Sequence, residues 1–296
     1  MRRRLDDPEM LSTEVLLNML LSYRDSEFEV SAADYDAMVT LVDDVRKLPM
    51  RSKMVELSMI QYLYAFALNG RKQPGDRERA LSVINNLLST CEKPSADMYG
   101  LLGRIHKDRF VESKFTDQEA LKAAIESYRN GFQADPNEYM GVNLANLLVC
   151  TGQELNTSQE LNRICNVLNL RIGRKGDISK LTDYWDVATF FEVRVLLEEY
   201  TSAVRAVERI YAMDPPIWQL ASTLRNIRLI NHFRKPAHDK AKLTPARRLF
   251  DFWMEFLSDV VTESGQSLQS STNGTCLSAD AIVNGSKFSV PIDCLC

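Results

Sequence analysis

Residues 97–136 read DMYGLLGRIHKD, then RFVESKFTDQ, then EALKAAIESYRNGFQADP, and the small residues in this stretch decide the fold. The two outer segments carry apolar residues at helical spacing, so two helices joined by a polar interruption are expected. Gly103 lies on the first helix. Ala124 and Gly131 lie on the second, with Tyr128 between them and Pro136 behind. The lack of side-chain bulk at Gly103, Ala124 and Gly131 lets two antiparallel helices approach closely, and Tyr128 fills the space beside them. Pro136 has no backbone N–H and stops the second helix.

This order of residues is that of the tetratricopeptide hairpin, a unit of about 34 residues. Tyr99 and Leu102-Gly103 match its first helix, and Ala124, Tyr128, Gly131 and Pro136 follow at offsets of 4, 3 and 5. Gly103 to Ala124 is 21 residues where the pattern has about 12. The extra residues centre on Phe110 to Thr116, where a hairpin loop is expected to absorb them.

The chain on either side repeats the arrangement. A first unit opens at Ser12, an N-cap, with Leu16, Leu17, Leu20 and Leu21 as its apolar face; its partner helix holds Ala37, Leu41, Asp44 and Pro49. A second pairs LSMIQYLYAFALN (57–69) with DRERALSVINNLL (76–88), where Ala80, Ile84 and Leu87 keep the spacing and Pro94 comes late. In the third unit Thr116 and Glu119 form a capping box, and in the fourth Thr157 and Glu160 form another. The fifth pairs YWDVATFFEVRVLLEEY with TSAVRAVERIYAMDPP, aligning Ala203, Val207, Ile210 and Pro215. Ala37 to Ala80 is 43 residues, Ala80 to Ala124 is 44 and Ala124 to Ala203 is 79, leaving room for the fourth unit inside the last interval. The expected fold is all-α, a solenoid of about five helical hairpins over 11–216 followed by capping helices over 217–263. The last of these starts at Thr244-Pro245, carries the stripe Leu249, Phe252, Trp253, Phe256, Leu257, Val260 and Val261, and ends at Ser264-Gly265. From 264 to 296 Ser, Thr, Gly and Asn dominate and periodicity vanishes, so a disordered tail is expected.

Net charge is −4 and the sequence pI about 5.6, which gives no electrostatic case for nucleic acid. No apolar signal region follows the basic MRRR start, and no 18-residue apolar run occurs, so a protein without a membrane span and of cytoplasmic location is expected. Cys91, Cys150 and Cys165 fall in helical stretches and read as free thiols of a reduced compartment. Cys276, Cys294 and Cys296 lie in the tail, where Cys294-Leu-Cys296 resembles a prenylation end and the three together a metal set, but nothing else in the sequence supports either; two Asn-Gly-Ser/Thr sequons there read as chance matches.

Catalytic candidates are absent. Only His106, His232 and His238 occur, none paired at metal-ligand spacing. His106 takes a packing position on the third unit. Gly173-Arg174-Lys175-Gly176-Asp177 follows a helix rather than a strand, so it reads as a helix C-terminus and not a phosphate loop. Trp185-Asp186 reads as the aromatic of the fifth unit, and Glu198-Glu199 as a solvated face. Neither a catalytic, a metal nor a cofactor-binding residue is expected. Binding is the better prospect. Arg104 and Lys107 lie one turn apart on the third unit's first helix, and Asn143 and Asn146 follow on the next. Such a set could hold a peptide carboxylate or acidic side chains, although an ordinary polar surface is the more usual reading of it. The segment 225–248 carries eight Lys or Arg against Asp239 alone. It reads as a basic connector or a docking site for an acidic or phosphorylated partner.

Beyond the repeat, the sequence resembles the apoptosis signal-regulating kinases, a group of stress-activated MAP kinase kinase kinases. The resemblance is carried by LSTEVLLNMLLSYRD (11–25), YDAMV (35–39), YAFALN (64–69), GDRERAL (75–81), GRIHKD (103–108), GRKG (173–176), YWDV (184–187) and PPIW (215–218). It implies that 1–263 is a regulatory region that binds TRAF adaptors and positions MAP kinase kinases in the JNK/p38 cascade, beside the other domains of a parent kinase. This chain contains no Gly-rich loop, VAIK lysine, HRD or DFG motif, so it is not itself expected to be an enzyme. The resemblance stops after Glu263, as expected of a truncated product or an incomplete gene model. The alternative expectation is a co-chaperone-like tetratricopeptide module that clamps an acidic C-terminal peptide with Arg104, Lys107, Asn143 and Asn146.

Overall fold

The computed structural model describes residues 11–25, 33–48, 52–234 and 244–271. The expectations for 272–296, including the three tail cysteines and the sequons, and for most of the basic connector lie outside the described residues. Among these residues the fold is all-α, with twelve α-helices and two short 3-10 turns. Five antiparallel hairpins follow in order: α1 (Thr13–Arg24) with α2 (Tyr35–Lys47), α3 (Ser58–Arg71) with α4 (Asp76–Thr90), α5 (Ala96–Glu112) with α6 (Gln118–Ala134), α7 (Glu138–Cys150) with α8 (Gln159–Lys175), and α9 (Tyr184–Leu196) with α10 (Tyr200–Ala212). Each hairpin packs on the next, and α1, α3, α5, α7 and α9 also touch their successors directly. They form the inner layer of a helical solenoid. Then come α11 (Ile217–Phe233) and α12 (Pro245–Ser271).

The small residues do what their spacing implies. A Cβ added at Gly103 would stand 2.8–3.0 Å from the Tyr128 ring, and one at Gly131 would meet Met140 Sδ at 2.9 Å. Ala80, Ala124 and Ala203 are fully buried in the seams. Ala37 is not. In α2 Tyr35, Met38, Val39, Leu41, Val42 and Val45 are buried; Leu41 is in the core as its place in the pattern implies, and Met38, Val42 and Val45 keep the 4, 3 offsets one residue later. The first seam is therefore filled by a methionine where the others carry alanine. In α1 Met19 joins Leu16 and Leu20 in the core, while Leu17 and Leu21 are only half-buried.

Most helix starts, though not those of α3, α4, α10 and α11, are set by side chains that accept the backbone N–H three residues on, satisfying a donor the helix leaves orphaned. Ser12 does so for Val15, as the sequence predicts. Two caps sit one residue later than the predicted boxes. Asp117 accepts from Ala120 while Thr116 turns back to the Ser113 carbonyl, and Ser158 accepts from Leu161 while Thr157 bonds the Glu154 carbonyl. The extra residues of the third hairpin do not form a long loop. They lengthen α5 and α6 to 17 residues each, and Phe110 at the added end is fully buried.

The apolar core falls into two clusters that meet on α5: one runs from Leu11 to Ile105, the other from Phe110 to Leu257. The last two helices differ from the expected pair of caps. α11 lies along the inner layer, running with α9. Tyr184 bonds Thr223 near their starts and Arg234 bonds the Val195 and Leu196 carbonyls near their ends. It packs against α7 as well as α9, and its last turn stacks Phe233 on Phe110 of α5. α12 covers α10 and α11 as an end cap. Thr244 caps it as predicted, but it continues past Ser264-Gly265 to Ser271. Its inward face is rotated: Phe250 and Leu257 are buried, Trp253, Phe256, Val260 and Val261 pack at the margin, and Leu249 and Phe252 face outward at 45% and 58% exposure.

Candidate functional site: the inner groove

A groove of about 540 Å³ runs along the inner layer, walled by α5, α7, α9 and α11. Its floor is polar because α5 carries Arg104, Lys107 and Asp108 inward between the two apolar clusters. Lys107 donates to Asn143 Oδ1 at 2.7 Å and to Asn226 Oδ1 at 2.7 Å. Asn226 of α11 turns its amide to the Glu192 carboxylate at 3.0 and 3.1 Å, and Asn146 donates to Glu192 Oε2 at 2.6 Å. The chain Lys107–Asn226–Glu192–Asn146 thus ties four helices together. Beside it Arg104 hydrogen-bonds Tyr35 and lies 5.9 Å from the Phe66 ring centre, and Asp108 accepts from Asn69 at 3.1 Å.

Burial dominates the electrostatics. It pushes the Lys107 ammonium down to about 8 against the pull of Glu192. It raises the Glu192 carboxyl although Asn226, Lys107 and Asn146 all favour its ionised form. Burial also acts to raise Asp108, but Arg104, Lys72 and Arg225 outweigh it and hold that carboxyl below its usual range.

The four predicted binding residues are therefore brought together, but not as a free clamp. All four are buried and Asn146 is wholly so, outside the groove wall. A carboxylate clamp needs cations open to a ligand, whereas Lys107 is engaged by Asn143 and by the chain's own α11. The helix that follows the hairpins, α11, forms one wall of the groove that Arg104, Lys107 and Asn143 also line.

Sequence reasoning misses Glu192 and Asn226. The available signal is a lone acid inside the apolar run VATFFEV (187–193), since an unpaired carboxylate is almost never buried. His106 is half-buried, and burial followed by Arg109 lowers its imidazole below the usual range. Gly176 ends α8 at φ 115°, so the 173–177 segment is a helix C-terminus. Trp185-Asp186 lies in the first turn of α9. Burial raises the Cys150 and Cys165 thiols to about 12 and about 11, which leaves them poor nucleophiles. Among the described residues no group of His, Cys, Asp or Glu is placed to hold a metal, and no helix is long and apolar enough to cross a membrane.

The profile of the MAP3K TRAFs-binding domain matches residues 1–256. The chain belongs to that family. Similar proteins include mouse mitogen-activated protein kinase kinase kinase 15, 40% identical over 266 residues that cover 90% of this chain and 19% of the relative. The nsy-1 kinase of Caenorhabditis elegans is 41% identical, covering 88% of this chain and 17% of the relative. Human mitogen-activated protein kinase kinase kinase 5 is 35% identical, with 86% and 18% covered. As a TRAFs-binding domain the chain spans about a fifth of the length of the kinases it matches. The matched region takes in α1 to α11 and the start of α12, so the groove and its network lie wholly within it.

Proposed function

We propose that this chain is the adaptor-docking platform of a stress-activated MAP kinase kinase kinase. In this reading residues 1–263 form one tetratricopeptide-like regulatory unit. It recruits TRAF adaptors in the cytoplasm and holds MAP kinase kinases for the kinase domain of a longer protein, feeding the JNK/p38 cascade. The observation that carries the reading is the family match over residues 1–256, from α1 to the start of α12. The groove is consistent with it: Lys107, Asn143, Asn146, Glu192 and Asn226 are joined in one hydrogen-bonded network, and the wall offers no acid-base or nucleophile pair among the described residues. The groove wall containing Arg104, Lys107 and Asn143, with Asn146 behind it, supplies the contact surface and its rigid backing.

The test is co-precipitation of the 296-residue chain with a TRAF protein, and separately with a MAP kinase kinase. Capture of the adaptor by a sample shown to be helical by circular dichroism is expected. Reproducible failure with such a sample would overturn the docking role.

A further inference from the structure

Arg234 ends α11 and Arg247 lies in the first turn of α12, one on each side of residues 235–243. Both converge on the hydroxyl of Tyr200, the first residue of α10. Arg247 Nη1 donates to Tyr200 Oη at 2.6 Å and Arg234 Nη1 at 3.3 Å. The Arg247 guanidinium also lies over the Tyr200 ring, 4.6 Å from its centre, and Phe250 packs beside that ring at 5.2 Å. Such packing uses the ring and not its oxygen. Each arginine has an acid on its Nε side, Glu198 at 3.4 Å for Arg234 and Asp251 at 2.9 Å for Arg247. On their Nη sides the two cations hydrogen-bond, among the described residues, only the Val195 and Leu196 carbonyls and this one hydroxyl. A neutral oxygen is a weak match for two cationic donors, because the strong hydrogen bonds of guanidinium groups are made to anionic oxygens.

The turn that carries Tyr200 is open. Glu198, at φ 59°, brings the chain round from α9 to α10; Glu198, Glu199 and Thr201 are exposed and Tyr200 is half-buried. The two acids directly before the tyrosine stay exposed although each pairs with an arginine, Glu198 with Arg234 and Glu199 with Arg194. Acids in that position complement a kinase whose substrate cleft is basic. We propose that Tyr200 is a phosphorylation site and that Arg234 and Arg247 are the receptor for its phosphoryl group. A separate tyrosine kinase with ATP supplies the step: the Oη–P bond forms as the bond from the γ-phosphorus to ADP breaks, and the hydroxyl proton leaves. The product puts three acceptor oxygens and a charge of about −2 where a neutral oxygen stood, and a guanidinium holds more N–H donors than the present bonds use. Because the receptor arginines belong to α11 and α12, modification pins both helices to the turn between α9 and α10, and with them the α11 wall of the groove. The inference goes beyond the docking reading and stands without it.

The test uses the full 296-residue chain, ATP and a tyrosine kinase chosen for activity on a synthetic peptide of residues 194–206, with sites mapped by mass spectrometry. Tyr200 should be modified in the folded chain, and Tyr200→Phe should lose that phosphopeptide alone. Modification should raise the thermal midpoint by about 2–4 °C. Most of that rise should vanish in Arg247→Gln and in Arg234→Gln. Each variant is compared with its own unmodified form, so a purely structural cost of losing the arginine cancels. Arg247→Lys, which keeps the charge but not the forked donor geometry, should retain only part of the rise. Modification of the peptide but not of the folded chain overturns the inference. So does a midpoint that is unchanged or lowered by modification, or one that rises equally in wild type and the arginine variants.

Discussion

Lys107 and Glu192 show what burial does to a charge pair: both are pulled toward their neutral forms despite their mutual attraction and shared amide partners. Lys107 titrates at about 8 in the folded chain and near 10.5 when free. Between those values the unfolded chain holds more protons, so the stability contributed through this group rises as pH climbs from about 8 to about 10.5. Unfolding free energies measured across that window should show wild type gaining on Lys107→Met by up to about 3 kcal/mol, since each tenfold change in proton affinity corresponds to about 1.4 kcal/mol. A constant difference between the two would mean that Lys107 stays protonated throughout. The residues that make the fold legible behave differently from this pair. Gly103 is readable because it stands against Tyr128 at a fixed offset within one hairpin. Glu192 is not, because what stabilises its burial comes from Asn226 and Lys107, 34 and 85 positions away.

At the scale of elements, the sequence locates the helices well and their faces less well. A cap one residue away, Ser158 rather than Thr157, changes little because both hydroxyl residues suit a helix start. The rotated face of α12 matters more. Its apolar residues wrap most of the way round the helix, so the 3.6-residue period alone does not choose between Phe252 and the stripe that includes Phe250. The choice is made by α9 and α10, whose Phe191 and Tyr200 rings pack around Phe250 at 6.1 and 5.2 Å. Phe250→Ala should accordingly destabilise the chain by about 3–5 kcal/mol, the usual cost of emptying a buried aromatic site. Phe252→Ala should stay within about 0.5 kcal/mol of wild type, as surface substitutions do. Chemical denaturation of the two variants separates the stripes, and the reverse order would restore the one read from sequence.

For the whole molecule, the decisive departure from the expected architecture is α11, which closes the inner face instead of ending the stack. Nothing local marks it as different, because its periodicity suits either role. Only its polar partners on α5 and α9, with its packing on α7, reveal where it lies. α11 buries Trp218, Leu220, Leu224, Ile227, Leu229 and Ile230, each contributing about 1.5–3 kcal/mol relative to exposure. Its removal also strips Lys107 and Glu192 of their shared partner Asn226. A folded domain has only about 5–15 kcal/mol in hand, so a chain ending at residue 216 should lose cooperative unfolding of its C-terminal half and bind a hydrophobic dye. A chain ending at residue 234 keeps α11 and loses only the contacts of α12, chiefly Phe250 and Leu257. It should remain folded with a lowered midpoint. If α11 were a detachable cap, both truncations would melt alike and leave the inner face intact. Thermal unfolding followed by circular dichroism, with dye binding on the same samples, distinguishes the two. The cut at 216 should also abolish binding of any groove ligand, since Ser222, Arg225 and Asn226 form one of its walls.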